Sequence, residues 1–224
     1  MIVLVVGTGT DVGKTHVTCA LLRAAVDGGV AALGWKPVAS GAHGAYGDDA
    51  LAHAVAARAA PVAPMHVFEP PVSPHLAARA AGAHISVEAL VDRARSLATT
   101  CEVLFVETAG GLFSPMNDAH ANDQLARALA PDRTLLVAPD RLGVLHDVAA
   151  TEIAARARHV ELSVAVLSAP PAPDASTGTN AAELATCLGR GVAAVFPRAA
   201  FDAPTSLAAA RQTLAALDVT LRAT

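Results

Sequence analysis

A short apolar run that meets a glycine-rich turn and then Gly-Lys-Thr leaves this chain few ways to fold. Ile2–Val6 is apolar at every position, as expected of a strand covered on both faces in a parallel sheet. Gly7-Thr8-Gly9-Thr10-Asp11-Val12-Gly13-Lys14-Thr15 follows. A helix is expected from Lys14 to Asp27, with Gly28-Gly29 as its stop. Strand, glycine turn and helix together form a phosphate-binding constellation. Glycines let backbone N–H groups wrap around phosphate oxygens, and the helix N-terminus adds a positive dipole. Lys14 can reach β and γ phosphates, and the Thr15 hydroxyl can hold Mg2+. Five residues separate Gly7 from Gly13, one more than in the general motif.

The rest of the chain alternates. Strands are expected at Ala31–Trp35, Val103–Val106, Thr134–Ala138, Ser163–Leu167 and Val192–Phe196. Helices are expected at Asp49–Ala60, Ser86–Thr99 with Ser86 as cap, Asn122–Ala130, Leu145–Ala157, Asn180–Leu188 and Ser206–Leu217. This pattern argues for one α/β domain over 1–224, a doubly wound, mostly parallel sheet flanked by helices. Pro61–Pro74, with five prolines, and Ala169–Gly178 read as loops inside it. In such sheets ligands collect at the carboxyl ends of the strands.

Composition narrows the function classes. The 224 residues are 53% hydrophobic but only 3% aromatic, so aliphatic side chains must fill the core. The net charge of -4, with no Lys/Arg-rich run, argues against a nucleic-acid surface. Cys19, Cys101 and Cys187 are far apart, which suggests neither a zinc site nor a disulfide framework. No apolar run approaches the roughly 20 residues that span a bilayer. A soluble, cytoplasmic protein with no membrane partner is expected.

Two further segments carry candidate chemistry. Lys36-Pro37-Val38-Ala39-Ser40-Gly41 follows the second strand and sets a second ammonium beside the phosphate loop, where it can stabilise charge on a transferring phosphoryl group. As a plain surface lysine at a strand end, Lys36 would do nothing of the kind, and the segment alone does not choose between the two. Asp48-Asp49 opens a helix, a position that acids also occupy as ordinary dipole partners. Glu107 follows Val103–Val106 directly, where phosphate-loop enzymes place a Mg-coordinating acid. Thr108-Ala109-Gly110-Gly111 is small enough for backbone to approach a ligand.

At this point the chain resembles the dethiobiotin synthetase family, over nearly its whole length. The family's loop, with the same extra residue, matches Gly7 to Thr15. Its Lys-Pro-Val-x-Ser-Gly segment matches Lys36 to Gly41, and its acid before Ala-Leu matches Asp49. Pro71-Val72-Ser73-Pro74-His75 and Val106-Glu107-Thr108-Ala109-Gly110-Gly111 match two more segments, with Thr108 replacing a glycine.

The resemblance implies a Mg-dependent, ATP-consuming cyclo-ligase acting on 7,8-diaminononanoate and CO2, through a carbamate and a carbamic–phosphoric anhydride. It implies Lys36 and Lys14 as catalytic residues, and Thr15, Asp49 and Glu107 as metal ligands. Asp11, Val12, Gly13, Lys14, Thr15 and His16 would cradle the triphosphate, with Glu107, Ser168 and Pro197 completing the nucleotide site. Thr10, Ser40, Gly110, Gly111 and His146 would meet the substrate. Family members are homodimers, with the diamine near the subunit interface.

Two departures stand out. Where the family carries Asn-Asp to read the adenine edge, this chain has Ser168-Ala169, which leaves nucleotide choice either loose or resting on backbone groups near Phe196-Pro197-Arg198. The family's Leu-Gly-x-x-Asn-His reads here Leu142-Gly143-Val144-Leu145-His146-Asp147; a carboxylate beside the substrate's own would be unfavourable, and the pair also reads as a capped helix start.

Two rival readings are a related corrinoid amide ligase and a membrane- or DNA-positioning switch ATPase. The first needs an ammonia source, for which this chain has no room. The second carries a signature lysine where Gly9 stands, and often a basic tail, whereas 206–224 holds only Arg211 and Arg222 as basic residues.

Overall fold

The computed structural model describes residues 1–222; the last two residues of the expected 1–224 domain lie outside the described residues. Its first strand, β1 (Ile2–Gly7), shows why an all-apolar run belongs at a sheet centre. Val3 and Val5 face one core and Leu4 and Val6 the other, and all four are fully buried. β1 lies between β5 (Val103–Glu107) and β6 (Arg133–Pro139), parallel to both. β2 (Ala32–Trp35) extends the sheet beyond β5; β7 (Val164–Ser168) and β8 (Val195–Phe196) extend it beyond β6. The order β2-β5-β1-β6-β7-β8 is parallel throughout. All strand carboxyl ends therefore open on one edge, as the alternation of elements requires.

Helices close both faces. α1 (Lys14–Asp27) and α8 (Pro204–Ala216) pack one side, through Val17, Leu21, Ala210 and Leu214. α4 (Val87–Ala98), α5 (Asn122–Leu129) and α6 (Val144–Ala157) pack the other, through Leu90, Leu125 and Val148. α2 (Gly47–Ala57) lies against α1 and β2, and α7 (Asn180–Leu188) beside α6. Ser86 caps α4 as expected, its hydroxyl accepting from Ala89 N at 3.2 Å.

Three expectations need correction. Pro61–Pro74 is not wholly loop: His66–Phe68 (β4) pairs in parallel with Val38–Ser40 (β3), and Pro74–Ala80 forms α3. Strands of three residues are too short to show a period. The lone tryptophan, Trp35, pins this region by donating its indole N–H to Ala63 O at 3.1 Å. α2 begins two residues before Asp49 and ends at Ala57, where Arg58 turns left-handed. Of the expected strand Val192–Phe196, only its last two residues join the ladder.

Candidate active site

The phosphate loop is fixed from both ends. Thr8 N donates to Val137 O at 3.1 Å, and Leu112 N to Gly7 O at 2.9 Å. Gly13 sits at the start of α1 with φ +94, a left-handed backbone that side chains resist. Lys14 is almost wholly buried, and its ammonium donates back to Gly9 O at 3.0 Å. Burial pushes it down to about 8, partly offset by the charge of Glu107.

β2 delivers Lys36 and β5 delivers Glu107 to the same point, because the two strands are parallel neighbours. α2 brings Asp49. Thr15 Oγ1 lies 2.9 Å from Asp49 Oδ1 and 2.7 Å from Glu107 Oε1. The Lys36 ammonium donates to Asp49 Oδ2 and, at 3.1 Å, to Glu107 Oε1. Burial alone would lower Lys36 and raise Glu107. The opposite charges win: Glu107 and Asp49 hold Lys36 above the ordinary lysine value, and Lys36, with hydrogen bonds from His53 and Thr15, holds the fully buried Glu107 well below the usual carboxylate range.

Two compartments that share part of their walls lie along the phosphate loop, one of them at this cluster. One, of about 600 Å³, runs from Asp11, Val12, Gly13 and His16 past Ser168 to Pro197 and Arg198, with Arg141 on its rim. The other, of about 460 Å³, is lined by Lys14, Thr15, Lys36, Ser40, Asp49, Glu107 and Gly110. Thr10, Asp11, Gly13 and His16 border both. Together they leave room for a nucleotide with its phosphates over the loop.

Most residues singled out from the sequence thus converge, and two do not. Gly111 lies beneath the loop: a Cβ there would stand 3.1 Å from Gly9 N and 3.2 Å from Gly7 O. Its segment is held by Asn122, whose amide donates to Ala109 O and Gly111 O, both at 2.8 Å. His146 is exposed on α6 and lines neither compartment; the next residue, Asp147, pairs with Arg141 at 3.0 Å. Sequence reasoning missed His53, whose Nε2 lies 3.0 Å from Glu107 Oε2. Its spacing of four from Asp49, which sets both on one helix face, was the available signal.

Thr15, Asp49 and Glu107 could together hold a divalent cation. They offer a hydroxyl and two carboxylates, with the hydroxyl within hydrogen-bond distance of both acids.

Comparisons with known proteins bear on the family and the fold. A family model described as an AAA domain matches residues 2–201. An ATP-dependent dethiobiotin synthetase BioD of Anaeromyxobacter sp. (strain Fw109-5) is 40% identical over 190 residues, covering 83% of this chain and 85% of that protein. The chain belongs to the dethiobiotin synthetase family. An ATP-dependent dethiobiotin synthetase BioD of Caulobacter vibrioides (strain NA1000 / CB15N) is 38% identical over 173 residues, covering 73% of this chain and 78% of that protein. Among solved structures, the MinC:MinD cell division protein complex of Aquifex aeolicus matches with a TM-score of 0.59 at 12% identity, covering 100% of this chain and 98% of that one. The cell division protein ftsY of Thermotoga maritima matches with 0.55 at 19%, covering 96% of this chain and 68% of that one. These two likenesses concern the fold alone. Among the described residues of this family member, no helix is long and apolar enough to cross a membrane.

Proposed function

We propose that this enzyme makes dethiobiotin from 7,8-diaminononanoate, CO2 and ATP within the two adjoining compartments. One amine adds to CO2, forming a C–N bond and losing a proton to give a carbamate. A carbamate oxygen takes the γ-phosphoryl group as the bond to the β-phosphate bridge oxygen breaks, releasing ADP. The second amine attacks the carbamoyl carbon, expels phosphate, and closes the five-membered urea ring with loss of its proton.

The single observation that carries this reading is the Lys36 ammonium, held between Asp49 and Glu107 in the compartment that also contains Lys14. A carbamate is a weak nucleophile, so the residues' task is positioning and charge neutralisation rather than proton transfer. Loop amides from Asp11 to His16 and the Lys14 ammonium orient the triphosphate. Lys36 faces the carbamate and the γ phosphate. Ser40, Thr10 and Gly110 border the space left for the diamine. Mg2+ held by Thr15, Asp49 and Glu107 would neutralise phosphate oxygens when bound.

We read the working form as a homodimer joined across α6. His146, Ala150, Ile153 and Ala157 are all exposed and recur along one face of that helix. Ile153 is 69% exposed and Leu142, just before the helix, 74%. Such a face suits a second copy of the chain, and would bring His146 near the partner's compartment. Three free thiols suit a reducing cytoplasm.

The direct test mixes the protein with Mg-ATP, bicarbonate and 7,8-diaminononanoate and looks for dethiobiotin by mass. ATP hydrolysis with no ring-closed product would overturn the reading.

A further inference from the structure

His53 lies behind the acidic cluster rather than in the compartment. It is 1% exposed. The other buried side chains on its helix, Ala50, Ala56 and Ala57, are all small and apolar. An imidazole there is not needed to fill an alanine-lined face, and burying it has a cost. Its Nδ1 is enclosed with no hydrogen-bond partner. Its Nε2 lies 3.0 Å from Glu107 Oε2. A carboxylate can only accept in that bond, so Nε2 carries the proton.

The room for this ring comes from β2. A Cβ at Gly34 would stand 2.8 Å from His53 Cγ and 2.9 Å from His53 Cβ, and would also press on Leu22. Glycine at 34 thus leaves the space that the His53 side chain occupies beside the strand.

The two oxygens of Glu107 consequently have separate partners. Oε1 faces Thr15 and Lys36, towards the compartment, and Oε2 faces His53, away from it. Glu107 is wholly buried, so no water replaces a lost donor on Oε2. Without the imidazole N–H, the carboxylate would be free to turn towards Lys36 and lose its single orientation.

We propose that His53 is a positioning residue that locks the Glu107 carboxylate, leaving Oε1 alone to present to a divalent cation. The proposal rests on the reading of Thr15, Asp49 and Glu107 as the cation site. Partners that orient a ligating carboxylate commonly change metal affinity by about 10–100-fold when removed.

The test measures Mn2+ binding by electron paramagnetic resonance in the complex with a non-hydrolysable ATP analogue. His53→Met removes the donor at similar length, and His53→Gln keeps an N–H on a flexible stem. His53→Met is expected to weaken Mn2+ by about ten-fold or more, while the analogue's affinity in EDTA stays within about two-fold of wild type. His53→Gln is expected to recover most of that loss. Equal Mn2+ affinity in the Gln and Met variants would overturn the proposal, as would a parallel loss of metal-free nucleotide binding. Glu107→Gln separates the two levels of argument. If it leaves Mn2+ affinity unchanged, the cation-site reading itself fails; if it weakens Mn2+ while His53→Met does not, only the role of His53 fails.

Discussion

The Ser168 hydroxyl occupies the place that a side chain at Gly13 would need. A Cβ on Gly13 would stand 2.3 Å from Ser168 Oγ and 2.7 Å from Ser168 Cβ. The end of β7 thus packs directly against the phosphate loop, and the loop's last glycine is required twice, for its φ of +94 and for this approach.

Gly13→Ala should therefore lose about 1–2 kcal/mol from the left-handed backbone and more from the clash. Adding Ser168→Gly should return only the second part. Urea unfolding of the two single variants and the double variant measures this directly. A Gly13→Ala protein as stable as wild type would mean that the loop moves freely.

Lys36→Met should separate binding from chemistry. If Lys36 acts mainly on the charge that develops during phosphoryl transfer, turnover should fall by about 10²-fold or more, the usual effect of removing one such group. MgATP affinity by calorimetry should change far less, because Lys14 and the loop amides remain. Dethiobiotin formation at the wild-type rate would remove Lys36 from the mechanism.

How far the sequence reached follows from the kinds of signal that it carries. The strand Ile2–Val6, the loop Gly7–Thr15 and the helix from Lys14 were legible because burial on both faces, glycine and a helix start each leave a local mark. Glu107 was marked by its place at the end of a strand, whereas Lys36, just past one, was left open until the family resemblance assigned it. Their meeting depends on β2 and β5 being neighbours, which no local pattern states. His53 left only its spacing of four from Asp49 as a mark, because a histidine inside a helix otherwise looks the same whether it faces solvent or a buried acid. The strands Val38–Ser40 and His66–Phe68 escaped because a proline-rich segment hid a pairing only three residues long.

Base discrimination should be weak. Beside Ser168, the nucleotide compartment is lined by Ala169, Pro170, Pro171, Pro197, Ala199 and Ala200, and the two arginines there, Arg141 and Arg198, offer donors but no acceptor for an adenine amino group. Ser168 itself is buried against Gly13. A site with no side-chain acceptor for the adenine amino group rejects the wrong base only mildly. Binding of ATP, GTP and CTP by calorimetry should differ by less than about ten-fold. A preference for ATP a hundred times stronger would point to a base reader outside this lining.

The three thiols should react in a fixed order. Cys187 is exposed on α7, Cys101 half-buried, and Cys19 enclosed in α1 and pushed up to about 12, mainly by burial. With a disulfide reagent at pH 8, one thiol should react fast and a second slowly, and the third only in denaturant. Cys187→Ser should abolish the fast phase. Rapid labelling of Cys19 in the native protein would show that α1 opens readily.

The α6 face offers a test of assembly that also bears on His146. Ile153 points away from the chain's own core, while Val144, Val148, Thr151 and Ala155 on the same helix are buried. If that face joins two copies, Ile153→Glu places a charge in an apolar contact and should convert the dimer to monomer, seen by light scattering after size exclusion. Because Ile153 contributes little to its own core, the variant's melting temperature at low concentration should hardly move. The nucleotide compartment is formed within one chain, so ATP-analogue affinity should persist. Diamine affinity should fall if a partner's His146 helps to close that site, and His146→Ala in the dimer should weaken the diamine without changing assembly. An Ile153→Glu protein that remains dimeric would move the interface elsewhere and leave His146 a solvent-facing helix residue.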